Sequence, residues 1–191
     1  MDNHRIFTTD FIAILRELWP KYVLPHLDLS NPIHWLEVGS FEGRSALWTV
    51  ENMLLHPDST ITCVDPWICW MNYAGHDRFD FEKHFDHNVA GVSKIQKLKG
   101  SSADVLPGLP LHAFHGCYID GLHEEDHVRE DALLALPLLK PGAIIVFDDY
   151  AWEGHPGVKN AVDTLLQEWG SRIEVILIGY QVICKLTAST Q

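Results

Sequence analysis

The chain is poor in cysteine and in basic residues, and both shortages exclude classes of protein. Its 191 residues include four cysteines with no C-x-x-C pair, so the sequence predicts no disulfide framework and a reducing compartment. Cys63, Cys117 and Cys184 fall in predicted strands, as small buried apolar residues. With 14 basic against 26 acidic residues, the formal net charge of -12 opposes binding to nucleic acid or to an anionic membrane.

Long apolar runs are also missing. The apolar residues 11–15 are followed at once by Arg16 and Glu17, so the N-terminus lacks the basic start and uninterrupted apolar core of a signal peptide. No apolar run reaches the length of a membrane span, and we therefore expect a cytoplasmic protein. The apolar fraction of 47% is enough to bury a core, and the length fits one domain over residues 1–191.

Apolar runs and helical periodicity alternate along the chain. The N-terminal segment, residues 1–30, contains a capping helix predicted over residues 10–19, which Pro20 and Pro25 should end. Strands are predicted at residues 33–37, 59–65, 95–98, 114–120, 143–149, 173–178 and 180–186, and helices from Ser45, over 128–139 and over 157–169. This order predicts an α/β fold: a Rossmann-like, seven-stranded, mainly parallel sheet with helices on both faces and one antiparallel strand near the edge.

Residues 66–92 differ in character from the rest of the chain. They are crowded with aromatic, histidine, aspartate and asparagine residues, and they are longer than an ordinary connection between a strand and a helix. As a lid this region would supply flat apolar walls for an acceptor, and as a packed insertion it would belong to the core. We favour the lid.

A glycine-containing turn follows the first predicted strand. The apolar run stops at Glu37, and Gly39 and Gly43 let the backbone turn tightly and approach a ligand. A carboxylate at the strand tip would repel a pyrophosphate but attract the ammonium of an amino-acid moiety. The third glycine of the dinucleotide pattern is also absent, since Leu47 stands there. The turn therefore disfavours a nicotinamide-dependent oxidoreductase.

A second acid, Asp65, ends the second predicted strand, where a carboxylate can accept both hydrogen bonds of a ribose diol. Glu37 and Asp65 together suit an adenosine ligand that carries a positive amino acid. From these residues the chain resembles the class I S-adenosylmethionine-dependent methyltransferases. The alternative for either acid alone is a solvated carboxylate at the sheet edge.

Three further acids follow the fourth and fifth predicted strands. Asp120 ends one strand, while Asp148 and Asp149 end its neighbour, so their carboxylates should converge at one side of the sheet. Such carboxylates would repel one another unless a cation compensates, and hard oxygen ligands suit magnesium, with calcium or manganese as alternatives. The competing interpretation is that one adjacent aspartate caps the next segment and the other is solvated.

The order of these landmarks strengthens the metal interpretation. Over residues 35–185 the chain resembles the catechol O-methyltransferase-like and type 24 methyltransferases, in which an aspartate after strand four and an acidic pair after strand five bind a divalent ion. The resemblance implies that Asp120 lines both cofactor and metal. It also places further residues around S-adenosylmethionine: Glu37, Gly39, Ser40 and Gly43 at the methionine moiety, Asp65 at the ribose, Trp67 over the adenine or closing the pocket, and Ser101 with Ser102 at the adenine turn.

The general base is where the chain departs from the catechol-type pattern. That group has a lysine shortly after the strand-four aspartate, and residues 121–131 contain none. His123 is the available substitute, because histidine takes up a proton near neutrality. His123 could equally hydrogen-bond the cofactor or a neighbouring loop, and a metal could acidify the substrate hydroxyl without a dedicated base.

A competing motif overlaps this region. Residues 123–127 fit H-E-x-x-H, which on a helix would place His123 and His127 on one face for zinc, with Glu124 as base. The polar context and the position directly after a strand argue against a zinc peptidase. A catalytically silent nucleotide-binding module is the third alternative. We expect S-adenosylmethionine-dependent, divalent-metal-assisted O-methylation of a small-molecule acceptor, and the sequence leaves the choice between monomer and homodimer open.

Overall fold

The computed structural model describes residues 5–68 and 80–187. The strands are β1 (His34–Val38), β2 (Thr60–Asp65), β3 (Ile95–Lys99), β4 (Phe114–Ile119), β5 (Leu139–Phe147), β6 (Ile173–Ile178) and β7 (Val182–Leu186). The helices are α1 (Ala13–Tyr22), α2 (Arg44–Asn52), α3 (Phe81–Asn88), α4 (Ser102–Val105), α5 (Glu125–Ala135) and α6 (Pro156–Trp169). Short 3-10 turns lie at Leu24–His26, Leu106–Gly108, Leu136–Leu138 and Gly170–Arg172.

One seven-stranded sheet organises the chain, in the order β3-β2-β1-β4-β5-β7-β6. Strands β3, β2, β1, β4 and β5 pair in parallel, whereas β7 is antiparallel to both of its neighbours. The predicted sheet, with one antiparallel strand next to the edge, is confirmed. The strand order reverses between β1 and β4, which is where open α/β sheets form a crevice for ligands.

Side chains of the sheet point alternately to two apolar layers, which explains the nearly continuous apolar character of the central strands. On one face Leu36 and Val38 pack with the buried sides of α5 and α6. On the other face Trp35 packs with Leu15 and Trp19 of α1 and with residues of α2. Helices therefore cover both faces, as predicted.

Helix α1 differs from its prediction at both ends. It begins at Ala13 and continues through Pro20 to Tyr22. The single hydrogen bond that Pro20 cannot donate is outweighed by burial of the helix, since Trp19 has no exposed surface and the Val23 amide still donates to the Trp19 carbonyl at 3.0 Å.

The boundaries around β5 differ as well. Helix α5 ends at Ala135 and β5 begins at Leu139, so residues 140–142, predicted to end the helix, already belong to the strand. The cause is long-range pairing, because Leu139 lies opposite Phe114 across a register shift in β4. Asp148 and Asp149 follow β5 directly rather than closing it.

The predicted lid is described only in part. Residues 69–79, which include Trp70, Tyr73, His76 and Phe79, lie outside the described residues, so the lid remains a prediction there. Residues 81–88 form the regular helix α3, whose Phe85 is fully buried. Among the residues that are described, no helix combines the length and the apolar character of a membrane span.

Candidate active site

The turn between β1 and α2 is shaped by two glycines in the left-handed region. Gly39 has φ 87° and Gly43, the N-cap of α2, has φ 77°. A Cβ atom on Gly39 would lie 2.0 Å from the carbonyl oxygen of Asp120. The turn after β1 therefore touches the backbone of the turn after β4, and a side chain at position 39 has no room.

Asp65 holds this turn in place. Its Oδ2 accepts hydrogen bonds from the backbone amides of Ser40 and Phe41, both at 2.9 Å, and its Oδ1 accepts one from the Trp67 amide at 2.6 Å. Burial raises the pKa of Asp65, while the three amides act in the opposite direction. Of about four lone-pair positions on a carboxylate, three are therefore used by the protein and one on Oδ1 is left for a ligand hydroxyl.

Glu37 is the most deeply buried acid of the site. Its Oε2 and the hydroxyl of Ser40 have no hydrogen-bond partner among the described residues, and the thiol of Cys63 approaches Oε1 at 3.9 Å. Burial raises the pKa of Glu37 to about 7. The negative charge of Asp65 also raises this pKa, whereas the hydroxyls of Ser40 and Ser45 lower it. A buried carboxylate oxygen without a hydrogen-bond donor is unfavourable by itself, so Oε2 of Glu37 suits a cationic ligand.

Trp67 lies against the glycine turn. Its indole Nε1 donates a 2.7 Å hydrogen bond to the Phe41 carbonyl, its ring packs on Phe85 at 4.7 Å, and the Lys97 ammonium lies 4.8 Å from its centroid. The described contacts of Trp67 thus support the turn. Its predicted place over an adenine remains a prediction.

Ser101 and Ser102 follow β3. The Ser101 hydroxyl caps α4 by accepting from the Asp104 amide at 3.2 Å, and the Gly100 amide donates to the Asp65 carbonyl at 3.1 Å. The Ser102 hydroxyl lowers the pKa of Asp131, but burial dominates and raises it to about 6. The turn that carries both serines is therefore joined to the tip of β2. The predicted contact of these serines with adenine stays a prediction.

The acidic residues after β4 and β5 do converge, and His123 lies among them. Nε2 of His123 is 3.2 Å from Oδ2 of Asp149 and 3.8 Å from Oδ1 of Asp120. Within residues 5–68 and 80–187, Asp120, His123 and Asp149 form the group able to hold a metal ion, with ligand atoms all within 4.8 Å of one another. This buried Nε2 has no hydrogen-bond partner in the described part of the chain.

The charges of this group explain its pKa values. Burial and the charge of Asp148 raise the pKa of Asp120 well above its usual range. Burial lowers the pKa of His123, but the carboxylates of Asp120, Asp149 and Asp148 outweigh it, so the net pKa is raised. The negative charges of neighbouring carboxylates disfavour ionisation of each one, and a bound cation would remove this repulsion.

Asp148 does not belong to that group of ligand atoms, although its charge raises the pKa of Asp120. The hydroxyl of Tyr118 donates to its Oδ2, and Nε2 of Gln181 donates to its Oδ1 at 3.0 Å. Oε1 of Gln181 in turn accepts from the indole of Trp19 at 3.0 Å, and both side chains are fully buried. Asp148 is thereby tied, through Gln181, to α1 and to the residue that precedes β7. The prediction that it is a metal ligand remains untested, but its oxygens are engaged by protein donors.

A short aromatic cluster flanks the acidic group. The His123 ring contacts those of Trp152 and His155, at centroid distances of 5.5 and 5.1 Å. The Tyr180 hydroxyl donates to Oδ1 of Asp149 at 2.6 Å. Trp152 is 39% exposed, so part of its ring is accessible beside the acidic group.

The H-E-x-x-H interpretation is wrong. Helix α5 begins at Glu125, so His123 precedes it, and His123 directs Nε2 at Asp120 and Asp149. His127 is exposed on α5 and does not belong to the metal-capable group. A zinc peptidase needs both imidazoles on one helical face. His123 lies two residues before the first residue of α5, so the two histidines do not share a face of that helix.

Four side chains around the acidic group escaped prediction: Tyr118, Gln181, Tyr180 and Trp152. Tyr118 and Gln181 reach Asp148 across 30 and 33 residues of sequence. No local pattern marks such contacts, because they depend on β5 pairing with β4 and β7.

Comparison with known families agrees with this geometry. A glycine turn after β1, acids at neighbouring strand tips and the seven-stranded sheet define the class I S-adenosylmethionine-dependent methyltransferase architecture. The family model described as "Methyltransferase domain" matches residues 36–150, more than half of the chain. The chain belongs to this methyltransferase family.

Individual relatives are distant. The chain is 28% identical over 144 residues to the uncharacterized protein R132 of Acanthamoeba polyphaga mimivirus. The match covers 72% of this chain and 61% of that protein. The chain therefore spans less than two thirds of the length of this relative. Two solved structures share the fold. A putative O-methyltransferase from Klebsiella pneumoniae has a TM-score of 0.69 at 16% identity, covering 97% and 86% of the two chains. The O-methyltransferase TomG from Streptomyces achromogenes, solved in complex with SAM, has a TM-score of 0.61 at 21% identity, covering 81% and 73%.

Proposed function

We propose that the chain transfers the methyl group of S-adenosylmethionine to a hydroxyl of a small-molecule acceptor, with the help of a divalent cation. The observation that carries this proposal is the contact between the two halves of the site: the Gly39 backbone lies against the Asp120 carbonyl. A donor held by the glycine turn and an acceptor held at Asp120 would therefore be neighbours.

The residues of the glycine turn fit the donor. Glu37 offers an unpartnered buried oxygen to the ammonium of the methionine moiety, and the unpartnered hydroxyl of Ser40 lies in the same turn. Asp65 keeps one acceptor position on Oδ1 for a ribose hydroxyl. TomG, which shares the fold, was solved in complex with SAM, and this supports S-adenosylmethionine as the donor.

The acidic group fits a divalent cation, since Asp120, His123 and Asp149 offer three ligand atoms at close range. Such an ion supplies positive charge that favours the alkoxide form of an acceptor, while the sulfonium of the donor already activates the methyl group. Trp152 and Tyr180 would position the acceptor beside Asp149. The chain's contribution to the reaction is then proximity, orientation and electrostatics.

Binding of the donor can be tested at Asp65. Asp65→Ala should weaken binding of S-adenosylhomocysteine by on the order of 1.5–3 kcal/mol, about 10- to 150-fold, because a charge-assisted hydrogen bond and the support of the turn are both lost. Calorimetry on the full chain measures the change. The matched control is Asp58→Ala, which removes an exposed acid away from the turn. Unchanged affinity in Asp65→Ala would refute the ribose assignment.

Methyl transfer and its metal dependence can be tested together. Full-length protein is incubated with isotopically labelled S-adenosylmethionine and a metabolite extract, and the labelled product is identified by mass spectrometry. We expect an O-methylated small molecule, loss of its formation after chelation and recovery on adding a divalent ion. Full activity after chelation would contradict the metal role, and binding of the donor without any product would indicate the silent module.

A further inference from the structure

We infer that His123 is a nitrogen ligand of the metal and not the general base, and that the site therefore prefers Fe²⁺, Co²⁺ or Zn²⁺ to Mg²⁺ and Ca²⁺. This inference rests on the metal part of the proposed function. It differs from the all-carboxylate set of Asp120, Asp148 and Asp149 that the sequence predicts.

The first argument is the position of Nε2. This atom is buried, lacks a hydrogen-bond partner in the described part of the chain and lies 3.2 and 3.8 Å from oxygens of two different carboxylates. No hydrogen bond satisfies this nitrogen, and its ion pairs with the two carboxylates require a protonated ring, whereas a cation between the three atoms would bind the neutral imidazole and both oxygens. A general base would instead need to face the acceptor hydroxyl while remaining free of the cation.

The second argument is that the His123 ring is held in place. Trp152 and His155 pack against the ring, and the backbone of residue 123 abuts the start of α6, since a Cβ on Gly157 would lie 2.6 Å from the His123 carbonyl oxygen. A fixed ring points its nitrogen at the carboxylates without further ordering. Such preorganisation is what a metal ligand requires.

The third argument concerns Asp148. Tyr118 occupies one of its oxygens and Gln181 the other. The Gln181 amide cannot turn over without losing both bonds, because the indole of Trp19 can only donate to its oxygen. Each oxygen of Asp148 thus already accepts one hydrogen bond from the protein, and Asp148 does not belong to the group of ligand atoms that lie within 4.8 Å of one another. We therefore assign the third ligand position to His123 and treat Asp148 as a positioning residue beside the metal.

The ligand chemistry then sets the preference among metals. Carboxylate and water ligands suit Mg²⁺, Ca²⁺ and Mn²⁺, whereas imidazole favours iron, nickel, copper and zinc, and affinity for divalent ions rises along the first row from Mn²⁺. Exchanging one carboxylate for an imidazole also lowers the negative charge of the site, which weakens binding of hard cations most. Both effects favour Fe²⁺, Co²⁺ and Zn²⁺ over Mg²⁺ and Ca²⁺.

The direct test uses Mn²⁺ as a paramagnetic probe on the full chain. Pulsed electron paramagnetic resonance should show ¹⁴N hyperfine coupling from a bound imidazole in the unaltered protein and in Asp148→Asn, and none in His123→Ala. His127→Ala, which changes the exposed histidine of α5, is the matched control and should keep the coupling. Bound Mn²⁺ without ¹⁴N coupling overturns the inference.

Affinities provide the second measurement. Calorimetric titrations with Co²⁺ and Mg²⁺ should show tighter binding of Co²⁺, and His123→Ala should weaken Co²⁺ binding by more than about 100-fold, since loss of an outer-sphere partner alone costs about 10- to 100-fold. An equal loss for Mg²⁺ and Co²⁺, or no loss, overturns the preference. Titration with S-adenosylhomocysteine is run in parallel, so failure of the metal site is distinguished from failure of the donor site.

Discussion

Replacing Gly39 with alanine is expected to lower the free energy of unfolding by about 3–5 kcal/mol and to abolish binding of S-adenosylhomocysteine. The new Cβ would lie 2.0 Å from the Asp120 carbonyl oxygen, and this neighbour is backbone that cannot rotate away. The φ of 87° adds strain for any residue with a side chain. Gly39 lies where the glycine turn touches the backbone of Asp120. A backbone movement that removes the clash must therefore separate the glycine turn from the acidic group.

Gly142→Ala is the matched control for this prediction. Gly142 has φ 80°, close to that of Gly39, but a Cβ there meets nothing within 4 Å. Its substitution should therefore cost only the backbone strain, about 1–2 kcal/mol. Urea unfolding followed by circular dichroism measures both variants. Equal losses would show that the contact with Asp120 is not what limits position 39.

The sequence was informative where a predicted site residue lies at or next to the end of a strand. Glu37, Asp65 and Asp120 each follow an apolar run, and parallel pairing brings the three tips to one edge of the sheet. Once the runs are identified as buried strands, the mainly parallel sheet and the side on which these acids lie follow, but the order of the strands does not. The predicted set Asp120, Asp148 and Asp149 shares two residues with the observed group, in which His123 is the third.

The sequence was silent where a role depends on contacts between distant segments. The Asp65 carboxylate accepts three hydrogen bonds from backbone amides of the turns that it supports. No pattern of residue types in the sequence predicts these bonds. Asp148 and Asp149 are adjacent in sequence, yet one faces Gln181 while the other faces His123. Asp149 also has φ 54°, in the left-handed region that residues with a side chain rarely adopt.

Glu37 should make the stability of the fold fall as the pH rises from about 4.5 to about 7. Burial raises the pKa of the folded-state carboxyl from 4.5 to about 7. Below pH 4.5 both the folded and the unfolded chain hold the proton, so the contribution of the neutral carboxyl is fully present. Between the two values the unfolded chain ionises first, and above pH 7 the loss is complete, at about 3 kcal/mol.

Glu37→Gln isolates this effect, because the amide keeps the shape but does not titrate. At pH 8 the variant should be more stable than the parent by up to about 3 kcal/mol, and the two should converge near pH 4.5. Other buried acids of the site contribute their own pH dependence to both proteins, so the difference between the two unfolding curves is the measured quantity. The control is Glu174→Gln, at an exposed position. The difference in unfolding free energy between this variant and the parent should not change with pH.

The same residue couples donor binding to proton release. Near pH 6 the unliganded protein carries a proton on Glu37, and an ammonium beside the carboxylate favours its ionised form, so binding of S-adenosylhomocysteine should expel that proton. Calorimetry in buffers of different ionisation enthalpy should therefore give about one proton released per ligand in the parent at pH 6, falling towards zero at pH 8.5. Glu37→Gln should release none and bind more weakly at pH 8. If the parent and Glu37→Gln release the same number of protons at pH 6, the ammonium of the ligand does not lie at Glu37.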